Sequence, residues 1–335
     1  MTFNLLYYGT LNFHMSKSFL IKSKPVALAL SLSLILVPSI SACFNPGNEA
    51  FINTSNSGEE VEDAVRVGVL VIDSIDATRE RYKPLFAELS KTVGRSVTFV
   101  PLPQESQLTM IENNKVDFVI SNPLASVQMR RLYNTEFLAT ISLQNTGYEF
   151  GGLIIVKPDS AITTINDLRD KSGACVSMST AAAGCLFQLY HLQQKGVDPF
   201  NVSNNILVRE NPSQDDIVQS VINGEIDFGF VRTGQLERMV NRGLISSTDE
   251  VKVLEPMQDG FPLPHTTQLY PTWPIAALQD TPEALVGQMR QALLGIPEDH
   301  ASLAEAGFKQ LVPPVDYSEV DALIESLNLE SAEVQ

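Results

Sequence analysis

The feature of this sequence that most constrains its fold is the alternation, between residues 65 and 330, of short β-branched runs with amphipathic segments. Residues 66 to 72 form the first such run, and the segment after it places four apolar side chains at helical spacing: Tyr82, Leu85, Phe86 and Leu89. The same order recurs along the chain. Because it is typical of largely parallel sheets covered by helices, the sequence predicts an α/β fold.

The alternation falls into two series. A predicted strand at residues 116 to 121 ends at Asn122 and Pro123, and a new series begins with the apolar residues 153 to 156. We therefore expect two lobes, each large enough for its own core. Lobe 1 is predicted to hold residues 65 to 150 and 255 to 330, and lobe 2 residues 151 to 254. We expect crossover hinge strands between them.

The N-terminal segment is typical of an exported protein. Three lysines precede the apolar residues 26 to 37, and small residues then lead to Cys43. Residues 40 to 43 (ISAC) resemble the lipobox of bacterial lipoproteins, which implies a lipidated Cys43. An anchor helix or an unmodified signal is the alternative, but the apolar run is shorter than the roughly 20 residues of a bilayer span.

This assignment sets the domain organisation and the location. Residues 1 to 43 form the predicted signal peptide, with Met15 as the expected start, and residues 44 to 64 form a polar, flexible tether. We expect the mature protein to lie in the cell envelope, anchored by lipid to a membrane and facing the periplasm or the exterior.

The charge of the body excludes some partners. The leader holds three of the 23 basic residues and none of the 39 acidic ones, so the remainder carries a net charge of about −19. Its field repels nucleic acid and anionic bilayers, and we expect no nucleic-acid partner. A small anion is still compatible, because backbone donors in a pocket can bind it.

The predicted ligand site lies where strands end, because open α/β sheets bind ligands at the carboxyl ends of their strands. Ser179, Thr180 and Gly184 follow one predicted strand, and Arg232 and Thr233 follow another. The hydroxyls suit an anion or a helix cap. Arg232 suits a bidentate contact with an anion, or is an ordinary surface arginine.

Two cysteines remain after Cys43 is assigned to lipid. Cys175 falls on a predicted strand and Cys185 near the start of the next helix. In an oxidising compartment such a pair often forms a disulfide. Two buried thiols, or a thiol made reactive by the helix N-terminus, are the alternatives that the sequence leaves open.

Signatures of catalysis are absent from the sequence. None of the four histidines has the spacing of a metal site, and there is no nucleophile elbow or phosphate-binding P-loop. We therefore expect neither an enzyme nor a metal or other cofactor. Tyr148, Tyr270 and Trp273 are candidates to line the cleft, although core packing is the usual role of such aromatics.

Three segments carry a family resemblance. Residues 223 to 229 (NGEIDFG), residues 157 to 162 (KPDSAI) and residues 115 to 118 (KVDF) resemble the phosphonate-binding protein family of ABC transporters in order and spacing. The resemblance covers about residues 65 to 330. It implies a periplasmic binding protein fold, a type II-like clamp in which two mixed sheets are flanked by helices.

Two further segments resemble a branch of that family. Residues 231 to 239 and residues 269 to 274 are similar to the periplasmic sensor domains of tetrathionate-type histidine kinases. We expect the domain to stand alone as a lipoprotein, without a kinase segment. The resemblance therefore implies two possible membrane partners, an ABC permease and a sensor histidine kinase.

The chain departs from the phosphonate binders at the predicted site. Alanines 181 to 183 replace their hydroxyl cluster before Gly184, and Ser126 stands after Asn122 and Pro123 where they carry a tyrosine. These departures put a phosphonate ligand itself in doubt. We therefore expect a small oxyanion, held by residues from the set Asn122, Ser126, Tyr148, Ser179, Thr180, Gly184, Arg232, Thr233 and Tyr270.

The sequence thus predicts a solute-binding lipoprotein that captures an oxyanion and presents it to an ABC permease. The first alternative is an accessory protein that senses the ligand and signals to a two-component sensor kinase. A thiol-redox or oxyanion enzyme is the second alternative.

Overall fold

The computed structural model describes residues 64 to 113, 116 to 199, 202, 206 to 208 and 213 to 329. The predicted signal peptide, the lipidated Cys43 and the tether up to residue 63 lie outside the described residues. Within the described ranges, no helix is both long enough and apolar enough to cross a bilayer.

Many strands lie close to the positions that the β-branched runs predict, whereas the strands at residues 136 to 142 and 310 to 312 fall where the sequence predicts none. In chain order they are β1 (Val65–Leu70), β2 (Val97–Leu102), β3 (Phe118–Ile120), β4 (Glu136–Ser142), β5 (Glu149–Phe150), β6 (Gly152–Val156), β7 (Gly173–Cys175), β8 (Ile206–Val208), β9 (Phe228–Arg232), β10 (Lys252–Val253), β11 (Tyr270–Pro271), β12 (Pro274–Ala277) and β13 (Gln310–Val312).

The α-helices occupy most of the amphipathic segments between those strands. They are α1 (Ile75–Val93), α2 (Gln107–Glu112), α3 (Pro123–Tyr133), α4 (Phe187–Gln194), α5 (Gln214–Asn223), α6 (Gln235–Asn241), α7 (Glu283–Gly295), α8 (Ala301–Ala306) and α9 (Ser318–Ser326). A π-helix, Ala182–Leu186, leads directly into α4, and short 3₁₀ helices cover Ile165–Leu168 and Thr248–Glu250.

Two mixed sheets form the framework. The six-stranded sheet has the order β13-β4-β12-β3-β1-β2, and the five-stranded sheet has the order β10-β6-β9-β7-β8. In each sheet three neighbouring strands are parallel, namely β2, β1 and β3 in the first and β9, β7 and β8 in the second. We call the six-stranded sheet with its helices lobe 1, and the five-stranded sheet with its helices lobe 2.

Helix α1 illustrates why the amphipathic segments pack as they do. The Ser74 side chain caps its N-terminus by accepting the Ala77 N–H, and Gly94 ends it at a φ of 73°. The four apolar residues predicted on one face are all buried against lobe 1. Each buried side chain of this size contributes about 1.5–3 kcal/mol, which holds the helix on the sheet.

The chain passes between the lobes at the short ladder of β5 and β11. Phe150 pairs with Tyr270 there, and the rings of Phe150 and Tyr270 both pack on Phe187 of α4. Residues up to Thr267 still contact lobe 2, since the N–H groups of Thr266 and Thr267 donate to the Gly152 carbonyl. The segment from 255 to 267, assigned to lobe 1 by the sequence prediction, is thus hydrogen-bonded to β6 of lobe 2.

Helix α9 bridges the two lobes. Arg130 and Arg131 of α3 make ion pairs with Asp321 at 2.5 and 2.8 Å. The apolar face of α9, which includes Leu323, belongs to the same buried cluster as Leu192 of α4. The interlobe core is therefore built from α3, α4 and α9 together.

A disulfide joins Cys175, the last residue of β7, to Cys185 in the π-helix. Both side chains are fully buried. The bond closes the loop of residues 176 to 184 and ties the end of a lobe 2 strand to the helix that follows it.

The sheet of lobe 2 depends on a close approach at Gly173. A Cβ at that position would lie 2.2 Å from Cζ of the buried Phe228 ring. We expect Gly173→Ala to destabilise the protein by about 1–3 kcal/mol, because the ring has no room to move. Chemical denaturation measures the change. Gly287→Ala in α7 meets no atom within 4 Å and should instead stabilise by up to about 1 kcal/mol. Equal effects of the two changes would contradict this account.

The disulfide should contribute measurably to stability. We expect the double variant Cys175→Ser, Cys185→Ser to lose about 2–4 kcal/mol of unfolding free energy, because the open loop gives the unfolded chain more freedom. Urea unfolding with and without a reductant measures it, and the variant should not respond to the reductant. Free thiols at Cys175 and Cys185 in the protein unfolded without a reductant would refute the assignment.

Candidate functional site

The candidate site lies where the carboxyl ends of parallel strands from both lobes meet. Asp73 follows β1, Asn122 follows β3, Thr180 follows β7, and Arg232 ends β9. Two hydrogen bonds connect these ends across the lobes, from Asn122 Nδ2 to the Thr180 carbonyl at 2.9 Å and from Arg238 Nη1 to Asp73 Oδ1 at 3.0 Å. The lobes are therefore in direct contact along the cleft.

Residues 177 to 180 form a tight hydroxyl-rich loop on lobe 2. Ser177 Oγ accepts the N–H groups of Ser179 and Thr180 at 3.3 Å and lies 3.1 Å from Thr180 Oγ1. Across the cleft, Gln104 Nε2 donates to Thr180 Oγ1, which in turn donates to the Gln104 carbonyl. The Thr180 hydroxyl thus joins the lobes. It does not cap the following helix, whose N-cap is Ala181 without a side-chain bond.

The start of α3 faces this loop from lobe 1. Asn122 Oδ1 caps the helix by accepting the Ala125 N–H at 3.0 Å, while Gln128 Nε2 donates to the Ser179 carbonyl at 3.3 Å. Ser126 Oγ and Gln128 Oε1 are buried, and neither has a hydrogen-bond partner among the described residues. Since a buried polar group without a partner costs free energy, these atoms are candidates for contact with a ligand.

Arg232 is the most unusual residue of the cleft. Its backbone N–H donates to Gln214 Oε1 at 2.8 Å, yet within the described part of the chain its guanidinium has neither an ion pair nor a hydrogen bond. Burial, and secondarily the nearby charge of Arg238, lower its pKa to about 10. The side chain therefore remains a cation at neutral pH, in surroundings that penalise its charge.

A network of ion pairs surrounds Arg232. Asp73 binds Arg81 at 2.7 Å and Arg238 at 3.0 Å, and Asp215 binds Arg238 at 3.2 Å and Arg242 at 2.7 Å. Although burial opposes ionisation of Asp73, its hydrogen bonds and charge attraction to Arg81 and Arg238 hold its pKa below the ordinary value. We call these five residues, together with Arg232, the arginine cluster; its members are Arg81, Arg232, Arg238, Arg242, Asp73 and Asp215. It holds two more positive than negative charges, in a protein that is strongly acidic.

Several predicted site residues have structural contacts instead. Thr233 Oγ1 bonds to the backbone of Gly151 at the crossing between the lobes. The ring of Tyr270 is stacked on Phe187 with its centroid 3.8 Å away, and burial raises the Tyr270 pKa. Tyr148 lies near the same crossing and is about half exposed, and the Gly184 carbonyl accepts the Val176 N–H. Thr233, Tyr270 and Tyr148 thus make their contacts where the chain passes between the lobes, and Gly184 makes its contact within lobe 2.

The sequence prediction did not single out Gln104, Gln128 or Arg238. Asp73 directly follows the first predicted strand but is not among the predicted ligand-binding residues. Gln104 lies in the turn after β2, whereas Gln128 and Arg238 lie inside helices, where an argument from strand ends does not identify side chains. Among the described residues, no group of three or more His, Cys, Asp or Glu could hold a metal ion.

Solved structures with the same architecture come from several bacteria. A structure of XAC2383 from Xanthomonas citri bound to chloride superposes with a TM-score of 0.66 at 16% identity, covering 79% of this chain and 98% of that one. PhnD1 from Prochlorococcus marinus in complex with methylphosphonate gives a TM-score of 0.63 at 17% identity, covering 80% and 99%. The predicted α/β periplasmic binding protein fold is thereby confirmed.

A longer protein with a related sequence is the tetrathionate sensor histidine kinase TtrS of Salmonella typhimurium. It is 28% identical over 264 residues, which cover 77% of this chain. The chain spans 43% of the length of that kinase.

The family model for the phosphonate periplasmic substrate-binding protein of ABC transporters matches residues 67–318, which include both sheets and every residue of the arginine cluster. Members of this family bind a solute and perform no catalysis, in agreement with the sequence prediction. The chain belongs to the phosphonate family of periplasmic substrate-binding proteins of ABC transporters.

Proposed function

We propose that this protein captures a small oxyanion between its two lobes and presents it to an ABC permease. The observation that carries the proposal is the guanidinium of Arg232, whose Nε atom is buried and which has no hydrogen-bond or ion-pair partner among the described residues. The proposal concerns oxyanions as a class, including phosphite-like, phosphonate-like and sulfur oxyanions.

The free energy of a buried charge supports an anionic ligand. An enclosed cation without a counter-charge is costly, and a ligand anion that accepts hydrogen bonds from it removes that cost. The planar guanidinium suits an oxyanion in particular, because it offers parallel N–H donors to two oxygens. The unpartnered Ser126 hydroxyl is a further polar group available on lobe 1.

The contacts between the lobes support capture by closure. The polar contacts described between the cleft faces are hydrogen bonds and one ion pair, through Asn122, Gln128, Thr180 and Arg238. Bonds of this kind can be exchanged for water when the lobes separate. A ligand that binds both faces would shift the equilibrium towards contact, and the membrane partner would recognise the resulting surface.

We further propose that lipid on Cys43 holds the protein at the membrane of the cell envelope. The proposal rests on the lysines, the apolar run and the small residues that precede Cys43. The polar residues up to 64 would then serve as the tether between the lipid and the folded body.

A sensing role is the second candidate function. It is favoured by the 28% identity to the tetrathionate sensor histidine kinase TtrS. In that case the protein would signal to a two-component sensor kinase without delivering its ligand. Ligand uptake in vesicles with the permease, set against phosphorylation of a kinase in the same vesicles, distinguishes the two roles. Genes for a permease and an ATPase, or for a kinase and a regulator, beside this one would point to the same answer.

Ligand binding gives the direct test. We expect thermal stabilisation by at least one anion from a panel of phosphate, phosphite, methylphosphonate, sulfite, thiosulfate, tetrathionate and arsenite. Calorimetry on Arg232→Gln should show an affinity for that anion about 10- to 100-fold weaker, the loss expected for hydrogen bonds to a charged group.

The matched control is Arg290→Gln, which removes an arginine that pairs with Glu136 on the exposed surface of lobe 1. Its affinity for the anion should equal that of the unmodified protein. Stabilisation by a sugar or a cation, with none by any anion of the panel, would overturn the proposal. Equal affinity in Arg232→Gln would remove Arg232 from the site.

A further inference from the structure

Arg238 shares with Arg232 an unusual hydrogen-bonding state. The Nε atoms of both guanidiniums are buried, and neither has a partner among the described residues. Arg238 lies one turn into α6, the helix that starts just after Arg232 ends β9. The two charges are near enough that Arg238 contributes to the lowered pKa of Arg232.

Both Nη nitrogens of Arg238 donate to protein acceptors. Nη1 donates to Asp73 at 3.0 Å, and Nη2 donates to Asp215 at 3.2 Å and to Gln235 at 3.1 Å. Three acceptors on three different elements therefore fix the plane of the guanidinium. The Nε–H is a buried donor of this rigid group that an added acceptor could satisfy without displacing a protein contact.

We infer that Arg232 and Arg238 together form a two-arginine anion seat, and that this seat selects oxyanions carrying two negative charges over those carrying one. The inference rests on the proposed function and deepens it. It adds Arg238 to the ligand-binding residues and states the charge of the ligand.

The charge balance of the arginine cluster gives the reason for two charges. Asp73 and Asp215 compensate two of its four arginines, and two positive charges remain. A dianion neutralises both, whereas a monoanion leaves one positive charge uncompensated. The oxygens of a dianion are also the stronger acceptors for the two Nε–H donors.

Asp73 connects the two-arginine anion seat to the contact between the lobes. It belongs to lobe 1, while Arg238 and Arg232 belong to lobe 2, so the third acceptor of Arg238 arrives only when the lobes meet. The Arg238 guanidinium, and with it the direction of its Nε–H, is therefore held by all three acceptors only when the two lobes are in contact.

Methylphosphonate and methanesulfonate are suitable probes, because they have nearly the same shape but carry two charges and one at about pH 8.5. We expect the unmodified protein to bind methylphosphonate at least about tenfold more tightly than methanesulfonate in calorimetry. Arg238→Gln should remove most of this preference by weakening methylphosphonate alone. Arg238→Lys, which keeps the charge but has no donor equivalent to Nε–H, should lie between the two proteins.

Arg290→Gln is the charge-matched control, since Arg290 pairs with Glu136 on the exposed surface of lobe 1 and lies outside the arginine cluster. It should keep the preference for methylphosphonate. Equal losses in Arg238→Gln and Arg290→Gln would overturn the seat in favour of a general charge effect, and so would equal binding of the two probes. The thermal midpoint of each variant without ligand reports its folding.

If neither probe nor any anion of the panel binds the unmodified protein, the proposed function fails with the inference. Binding without charge discrimination overturns the inference alone.

Discussion

The contact between the loop of residues 177 to 180 and the start of α3 sets the geometry of the cleft. Thr180 meets Gln104 and Asn122 through both its hydroxyl and its carbonyl, so the ends of β3 and β7 are held at hydrogen-bonding distance. The residues that follow β1 and β9 are brought together as a consequence. Asp73 and Arg238 belong to different lobes, so without contact between the lobes their ion pair and the complete arginine cluster would not form.

The disulfide makes that contact possible by fixing the loop. Cys175 and Cys185 flank residues 176 to 184, and both lie in the core of lobe 2. Inside the loop, Ser177 accepts two backbone N–H groups and so holds Ser179 and Thr180 in a turn. Because the disulfide ties both ends of the loop, the loop loses less conformational entropy than a free loop would when it contacts lobe 1. A larger share of the favourable contact energy then remains as net free energy.

The cleft combines groups that are satisfied with groups that are not. The hydroxyl of Thr180 and the amide of Asn122 are paired across the lobes, whereas Arg232 Nε, Arg238 Nε and Ser126 Oγ are enclosed and have no partner in the described part of the chain. Paired groups define how the lobes meet. The groups without partners define the hydrogen-bond acceptors and the negative charge that a ligand has to supply. In a protein of this net charge, two excess positive charges in one cluster indicate a binding site for an anion.

The sequence by itself determined the fold class, because short β-branched runs and apolar faces at period 3.6 are local patterns that many strands and helices then followed. It also marked Asn122, Thr180 and Arg232, since strand ends are visible in the same pattern. Only the tertiary structure decided their roles. It paired Thr180 with Gln104, packed Tyr270 against Phe187, and joined Cys175 to Cys185. It left the Arg232 guanidinium without a partner among the described residues and placed Arg238 near it. Such roles depend on which side chains from distant segments share one low-dielectric space, and no local period in the sequence records that.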